Sequence, residues 1–416
     1  MHFKIKINEK DIKKVLKLNF VVPDKCKKII VEKKVKESIK KSFRNKIDIS
    51  FFDGENKWCG RLDRYKNSLE INDNVSTVGA ISSGEWTIYI EIFHVFEEIE
   101  IELDICFELY SGYNVYKGEL HSHTNITDGK LSFSDLTEYF KEEKYDFFFI
   151  SDHNSITAWS ELKNVSEIKC YKGLELTTFY GHILLLGINE HINWYGKNGN
   201  LGKIKSIRKE VKLKNGLMGV AHPYTNGGPL CAGCRWEKAI KPELFDFIEI
   251  WNSKIDNFKN NWEAVDFWVG CLKKDIKTFC TCGADLHRTG DLDNALSIYA
   301  LACKNDEAHI VDALRKGHYY LSRGSKLNLE IQDKIFGERL YFDEDITVNY
   351  EILNPSTDLQ LFYISKTGLK ELVKTEGNFT WNTDNLKDFF VLMGINQQRE
   401  LEFITNPVFL EKTDEV

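Results

Sequence analysis

The histidines at 121 and 123, in the stretch KGELHSHTNITDGK (117–130), stand one residue apart at the end of an apolar segment, with Asp128 five positions on. Alternate side chains of an extended chain share a face, so both imidazoles can reach a single ion. Imidazole mixed with carboxylate suits Zn, Mn or Fe, whereas an all-carboxylate set favours Mg or Ca. Two ions that share a bridging carboxylate can lower the pKa of water from about 15.7 toward about 7 and clamp the attacking and leaving oxygens of a displacement. The chemistry that follows is hydrolysis without a covalent intermediate.

Five more segments bring the same kinds of residue to the end of an apolar run. YDFFFISDHN reaches Asp152, His153 and Asn154; KCYKGLELT reaches Glu175; GLMGVAHP reaches His222; FDFIEIWN carries Glu249 and Asn252; TFCTCGADLH reaches Asp285 and His287. His182 precedes its run in TTFYGHILLLGI, and a turn at Gly181 would bring the chain back antiparallel, with His182 beside the end that holds Glu175. Six of the 11 histidines then gather on one rim with several carboxylates. Burial without partners would be costly there, and metal coordination would satisfy them. The other five, His2, His94, His191, His309 and His318, are assigned to structure or surface.

Asp152 and Asn154 flank His153 and are assigned to orienting it or a water. Arg288, beside His287, and Arg235, in CAGCRWEKAI, match phosphate oxygens bidentately and are assigned to an anionic leaving group. Neither a GxSxG elbow nor a Gly-rich phosphate loop ending in Lys and Ser or Thr is present.

These residues must be positioned by the elements around them. From about 43 to 110, alternating runs such as EWTIYIEIF and EIEIELDICFELY are separated by the turn material FDGEN and ISSGE, an antiparallel β pattern. The pattern returns beyond 325 in LNLEIQ, ITVNYEIL, LQLFYI and ELEFITNPVFL. Between them, strand-like runs alternate with helical ones: SFSDLTEYFKEEKY opens on a capping Ser132 and sets Phe133, Leu136 and Phe140 on one face, and helices fit 201–214, 260–274 and 306–316. About seven strands joined by helical connections point to an α/β fold, a distorted seven-stranded (β/α) barrel whose strand ends meet on one face. The expected division is a β-rich N-terminal domain at 1–113, the barrel at 114–324, and a β-rich C-terminal domain at 325–416, both flanking domains sandwich-like.

A 42% hydrophobic and 29% charged composition is that of a globular chain, and a formal charge of -7 gives no general attraction to nucleic acid or acidic membranes. The lysine-rich KCKKIIVEKKVKESIKKS is interrupted by glutamates and reads as a solvated face. MHFKIKINEKDIKKVLKLNF has neither the pattern of a signal peptide nor that of an anchor, so the expected location is cytoplasmic and the 10 cysteines are expected to be mostly thiols. Cys231-x-x-Cys234 with Cys280-x-Cys282 has an unusual spacing for a zinc-thiolate site.

In combination, HSHTNITDG, ISDHN, GLELTTFYGH, AHP and GADLH over residues 117–325 resemble the motifs of the polymerase-and-histidinol-phosphatase (PHP) superfamily of metal-dependent hydrolases. The β-rich N-terminal segment, DHN in place of DHD, and ITNPVFL are most similar to its CehA/McbA branch of carbaryl hydrolase-like proteins. The resemblance implies two or three divalent ions (Zn, Mn or Fe), with His121, His123, Glu175 and Asp285 around one. Glu175 would bridge to a second with His182 and His222, and Asp128, His153 and His287 would form a third position. Asp128 stands where some members have His. A small-molecule phosphoester is the expected substrate. A carbamate, ester or amide is the alternative within the branch, and a non-catalytic ligand-binding protein with a structural metal cluster is the alternative of another class.

Overall fold

In a computed structural model the chain is described at all residues except 37–44, 73–79, 165–167, 196–203, 229–232, 253–257, 294, 333, 344, 357, 382 and 414–416. It divides into two compact units, Met1–Tyr113 and Asn114–Val416.

The first unit is all β. Its strands are β1 (His2–Ile7), β2 (Val15–Val22), β3 (Cys26–Lys36), β4 (Lys46–Phe52), β5 (Trp58–Leu62), β6 (Ser68–Asn72), β7 (Gly84–His94) and β8 (Ile99–Leu109). They form two antiparallel sheets, ordered β1-β8-β3-β6 and β2-β7-β4-β5. Period-two alternation explains the packing: Trp86, Ile88, Ile90 and Ile92 of β7 are buried, as are Ile99, Ile101, Leu103 and Ile105 of β8, and all belong to one core.

The second unit begins with β9 (Asn114–Ser122), α1 (Phe133–Glu142), β10 (Phe147–Ile150), β11 (Lys169–Thr178), β12 (Gly181–Leu186), α2 (Ile204–Leu213) and β13 (Leu217–Val220). It continues through β14 (Phe247–Asn252), α3 (Phe258–Lys273), β15 (Phe279–Gly283), β16 (Ser297–Ala302), α4 (Glu307–Lys316) and β17 (Tyr319–Ser322). Ser132 caps α1 in a capping box with Asp135, and Leu136 and Phe140 face the core. The expected helix at 201–214 begins at Ile204 among the described residues.

The closed seven-stranded (β/α) barrel expected from the sequence is not what forms. Among the described residues strands far outnumber helices, and the sheet order runs β15-β14-β13-β12-β11-β10-β9-β16-β17 and on into the C-terminal strands. Two local features break strict β/α alternation. β11 returns directly into β12 by a hairpin pairing Thr178 with Gly181, which makes β12 antiparallel to both neighbours. β10 reaches β11 through a 3-10 segment, Thr157–Asn164, rather than an α-helix. The far edge of β9 is taken by antiparallel β16, which carries the sheet onward.

The C-terminal strands are β18 (Lys326–Ile331), β19 (Arg339–Phe342), β20 (Ile346–Leu353), β21 (Gln360–Ser365), β22 (Gly368–Leu372), β23 (Glu376–Trp381), β24 (Lys387–Ile395), β25 (Leu401–Thr405) and β26 (Val408–Lys412). β25 pairs with β17, so β24, β21 and β22 extend the same sheet as the central strands, while β18-β20-β23 form a separate one. Asn406, fully buried between β25 and β26, accepts from the Cys280 N–H at 2.9 Å and donates to the Tyr319 carbonyl at 3.1 Å. It satisfies backbone groups on both β15 and β17. Among the described residues no helix is long and apolar enough to cross a membrane.

Candidate metal centre

Parallel strands β9, β10 and β11, and β13, β14 and β15, each end in the polar residues read from the sequence. On β9 the alternation puts Leu120 into the core and turns Glu119, His121 and His123 to the opposite face. The β11–β12 hairpin delivers His182 opposite Thr177, two residues past Glu175. Gly181 makes that turn at φ +145°, where a Cβ would lie 2.5 Å from the Trp236 ring.

Three non-glycine residues at these strand ends have left-handed backbone: Asn154 (φ 53°), His222 (φ 24°) and Asp285 (φ 49°). Such conformations cost about 1–3 kcal/mol each and persist where surrounding structure enforces them. Here Asn154 turns its amide onto the Thr177 backbone, and His222 and Asp285 turn their side chains toward a common centre.

That centre is Glu175, whose carboxylate has no exposed surface. Oε1 lies 2.8 Å from His182 Nδ1 and 3.0 Å from His222 Nε2. Oε2 lies 2.9 Å from His153 Nδ1, 3.2 Å from His121 Nε2 and 3.4 Å from His123 Nε2. Asp285 Oδ1 is 3.1 Å from His123 Nε2 and 3.5 Å from His121 Nε2. Asp128 Oδ2 is 3.2 Å from His287 Nε2 and 3.4 Å from His153 Nε2.

All nine residues read as ligands are thus brought together, in three donor groups: His121, Glu175, His222 and Asp285; His153, Glu175 and His182; and His123, Asp128, His153 and His287. These groups overlap the sets the resemblance implies: His123 Nε2 also stands beside His121 within 3.4 Å of Glu175 Oε2 and 3.1 Å of Asp285 Oδ1, and His182 and His222 share Glu175 Oε1.

The donors fit divalent ions. His121 Nε2, both ring nitrogens of His123, Glu175 Oε2, His182 Nε2 and His222 Nδ1 are buried with no hydrogen-bond partner. Each such atom costs about 1–3 kcal/mol if left unsatisfied. Two ligands on one ion, at bonds near 2.1 Å, stand about 3.0–3.4 Å apart for octahedral to tetrahedral angles, and the separations around Glu175 and Asp285 cluster about this range.

Charge follows the same geometry. Burial opposes ionisation of Glu175, but His121 and His182 outweigh it and hold the carboxyl well below the usual range. Burial pushes His123 down, toward the neutral ring that binds metals. For His153 burial is overcome by Asp128 and Glu175, and its pKa is pushed up to about 10.

The four residues read as flanking groups lie as follows. Asp152 is fully buried and accepts from Thr124 N and Oγ1, both at 2.7 Å, and from Thr127 Oγ1 at 3.0 Å, fastening the loop after His123. Asn154 exchanges two hydrogen bonds with the Thr177 backbone, at 2.9 and 3.1 Å. Arg235 donates to the Tyr224 carbonyl at 3.0 Å and to Glu263 at 3.4 Å. Arg288, 76% exposed, pairs with Asp291 at 3.4 Å. Eight described cysteines carry free thiols, and none joins a donor group among the described residues; Cys231 lies outside them.

Sequence reading gave no role to three groups at the site. Glu249 Oε2 lies 3.0 Å from His121 Nδ1, so the opposite ring nitrogen is the one facing Glu175. Thr177 Oγ1 contacts His153 Nδ1 at 2.5 Å. Glu119, fully enclosed, is pushed up to about 8 by burial. Its place two residues before His121 was a usable signal, because it shares that histidine's face of β9.

No family model matches the chain, and no curated protein matches it. Among solved structures it is similar to a two-domain protein from Bacteroides vulgatus, whose assignment as containing a PHP-like metal-dependent phosphoesterase is itself a prediction (14% identity, 73% of this chain and 96% of the other, TM-score 0.42). It is also similar to a protein from Bifidobacterium adolescentis, likewise inferred to be a metal-dependent phosphoesterase (13% identity, 48% and 94%, TM-score 0.32). A third likeness is to an amidohydrolase from Chromobacterium violaceum with bound sulfate and no metal (13% identity, 42% and 88%, TM-score 0.30). All three likenesses are distant.

Proposed function

We propose that the chain is a metal-dependent hydrolase acting on phosphoesters. One observation carries the reading: a fully buried carboxylate, Glu175, turns one oxygen to two imidazoles and the other to three, with Asp285 closing the same cluster. His121, His123, Glu175 and Asp285 would hold one ion, Glu175, His182 and His222 a second, and Asp128, His153 and His287 a third. Bound there, two or three divalent cations (Zn, Mn or Fe) supply Lewis acidity and a nucleophile at neutral pH.

The protein's own residues set the rest. Glu249 orients His121, Asp152 fixes the loop that carries His123 and Asp128, and Asn154 ties the His153 turn to β11. Three carboxylates among the donors leave a net positive site once two or more dications are present, so an anionic substrate is favoured over a neutral carbamate. Arg235 and Arg288 are assigned to the anionic group, exchanging Glu263 and Asp291 for phosphate oxygens.

The deciding assay uses purified protein loaded with Mn or Zn, with chelated protein as control, on aryl phosphate monoesters, diesters and aryl carbamates. Phosphoester turnover that disappears on chelation is expected. Carbamate turnover without any phosphoester turnover overturns the substrate assignment, and a metal-loaded protein inert on all three leaves the non-catalytic reading in its place.

A further inference from the structure

β9 and β15 are six steps apart in the hydrogen-bonding order, yet their ends meet. The His123 N–H donates to the Leu286 carbonyl at 2.9 Å, and the Leu286 N–H donates to the His121 carbonyl at 3.0 Å, a single bridge between Ser122 and Leu286. One side of this seam carries His121 and His123, and the other carries Asp285 and His287.

Where the ladder stops, a side chain takes over. Glu119 Oε1 accepts from Leu120 N at 3.1 Å and His121 N at 2.9 Å on one side, and from Ala284 N at 2.9 Å on the other. Gly283 permits the approach: a Cβ there would lie 2.5 Å from His121 Cβ, 3.0 Å from Glu249 Oε1 and 3.3 Å from Glu119 Oε1. A buried N–H must find an acceptor, and all three find the same oxygen. A metal site tolerates displacement of its ligands by only about 0.5 Å.

We propose that Glu119 is a positioning residue: by gathering N–H groups from both sides of the seam on one oxygen, it sets the spacing of His121 and His123 against Asp285, and with it the affinity for the cation they share. The inference rests on the metal-centre reading above. It assigns Glu119 no contact with substrate or ion.

The test is calorimetric titration of Mn2+ into chelator-stripped wild type, Glu119→Ala and Glu119→Gln, with thermal melts of each. Glu119→Ala should weaken Mn2+ binding by about 10–100-fold, the range seen when groups behind a ligand are removed. Glu119→Gln keeps the accepting oxygen and should return affinity to the wild-type range. As a control for general destabilisation, Ile346→Val, in the buried face of β20, should lower the melting temperature while leaving Mn2+ affinity unchanged. Wild-type affinity in Glu119→Ala, or no rescue by Glu119→Gln, overturns the proposal. If Glu119→Ala does not fold, Gly283→Ala forces the same seam apart with Glu119 retained and should show the same loss; undiminished affinity there overturns it equally. A wild type that binds no ion defeats the metal-centre reading as well, whereas a failure confined to the variants defeats this inference alone.

Discussion

His153 and Glu175 are joined twice. Their main chains form a parallel bridge, with the Asn154 N–H donating to the Glu175 carbonyl at 3.0 Å, and His153 Nδ1 lies 2.9 Å from Glu175 Oε2. The carboxylate at the centre of the donor cluster is therefore held in register with the neighbouring strand end by the backbone as well as by its own oxygen. Donors fixed in this way need no rearrangement when charge is delivered to them.

Glu175→Gln keeps the shape and removes the charge that five imidazoles surround. Metal content after purification should fall to background, and metal affinity should drop by at least about a hundredfold, since this loss exceeds that of a group behind a ligand. Elemental analysis beside wild type reads the result directly. Retention of full metal content would remove Glu175 from the centre.

Chelation should lower the melting temperature, and Mn2+ or Zn2+ should restore it, because the ligand-competent atoms around Glu175 are buried without partners. An ion present at 100 times its dissociation constant adds about 2.7 kcal/mol to the folded state. Scanning calorimetry with and without chelator measures this, and a melting temperature indifferent to both treatments would contradict the proposed centre.

Arg235→Ala and Arg288→Ala should each raise KM for a phosphoester about tenfold with kcat nearly unchanged, the effect of losing one charged hydrogen bond to an anion. Neither change should alter metal content. Steady-state kinetics on an aryl phosphate with wild-type KM in both variants would return the two guanidiniums to their local partners, Glu263 and Asp291.

That the nine donor residues come together was far more legible than the architecture. Histidines and acids at the ends of apolar runs announced themselves, because a buried imidazole or carboxylate at a strand end demands a partner wherever the strands lie. Parallel or antiparallel pairing leaves no comparable mark on a short buried run. The turn at Gly181 marked β12 as antiparallel, but FFFI of β10 and SIYALA of β16 are both mostly apolar and buried, and one runs parallel to β9 while the other runs antiparallel. That ambiguity produced the expectation of a closed β/α barrel. Glu119 was passed over, and Glu249 given no role, for a related reason: one depends on the end of β15 meeting β9 and the other on β14 reaching β9, which long-range packing fixes rather than local spacing.

Asp306 offers a test of stability remote from the donor groups. It caps α4, accepting from the His309 N–H at 3.0 Å and lying 2.8 Å from His309 Nδ1. Asp306→Ala should cost about 1 kcal/mol and lower the melting temperature by about 2 °C, with metal affinity unchanged. Burial opposes ionisation of this carboxyl, but the His309 ring and N–H outweigh it and hold it below its ordinary value. A depressed folded pKa gives stability that is present above the unfolded value of about 3.9 and lost as pH falls through the lower folded one. Denaturant melts should therefore show the gap between wild type and variant at pH 7 and a shrinking gap below about pH 4. A constant gap would mean that the carboxylate's charge plays no part.

Asn406 comes 119 residues after His287, the last of the nine donor residues, and the strand it braces, β15, leads directly to Asp285. Translation proceeds from the amino end, so every donor emerges from the ribosome well before the residue that pins β15 to β17. A product that stops short of Asn406 would carry all nine of these residues while the Cys280 N–H and the Tyr319 carbonyl lack the side chain that joins them.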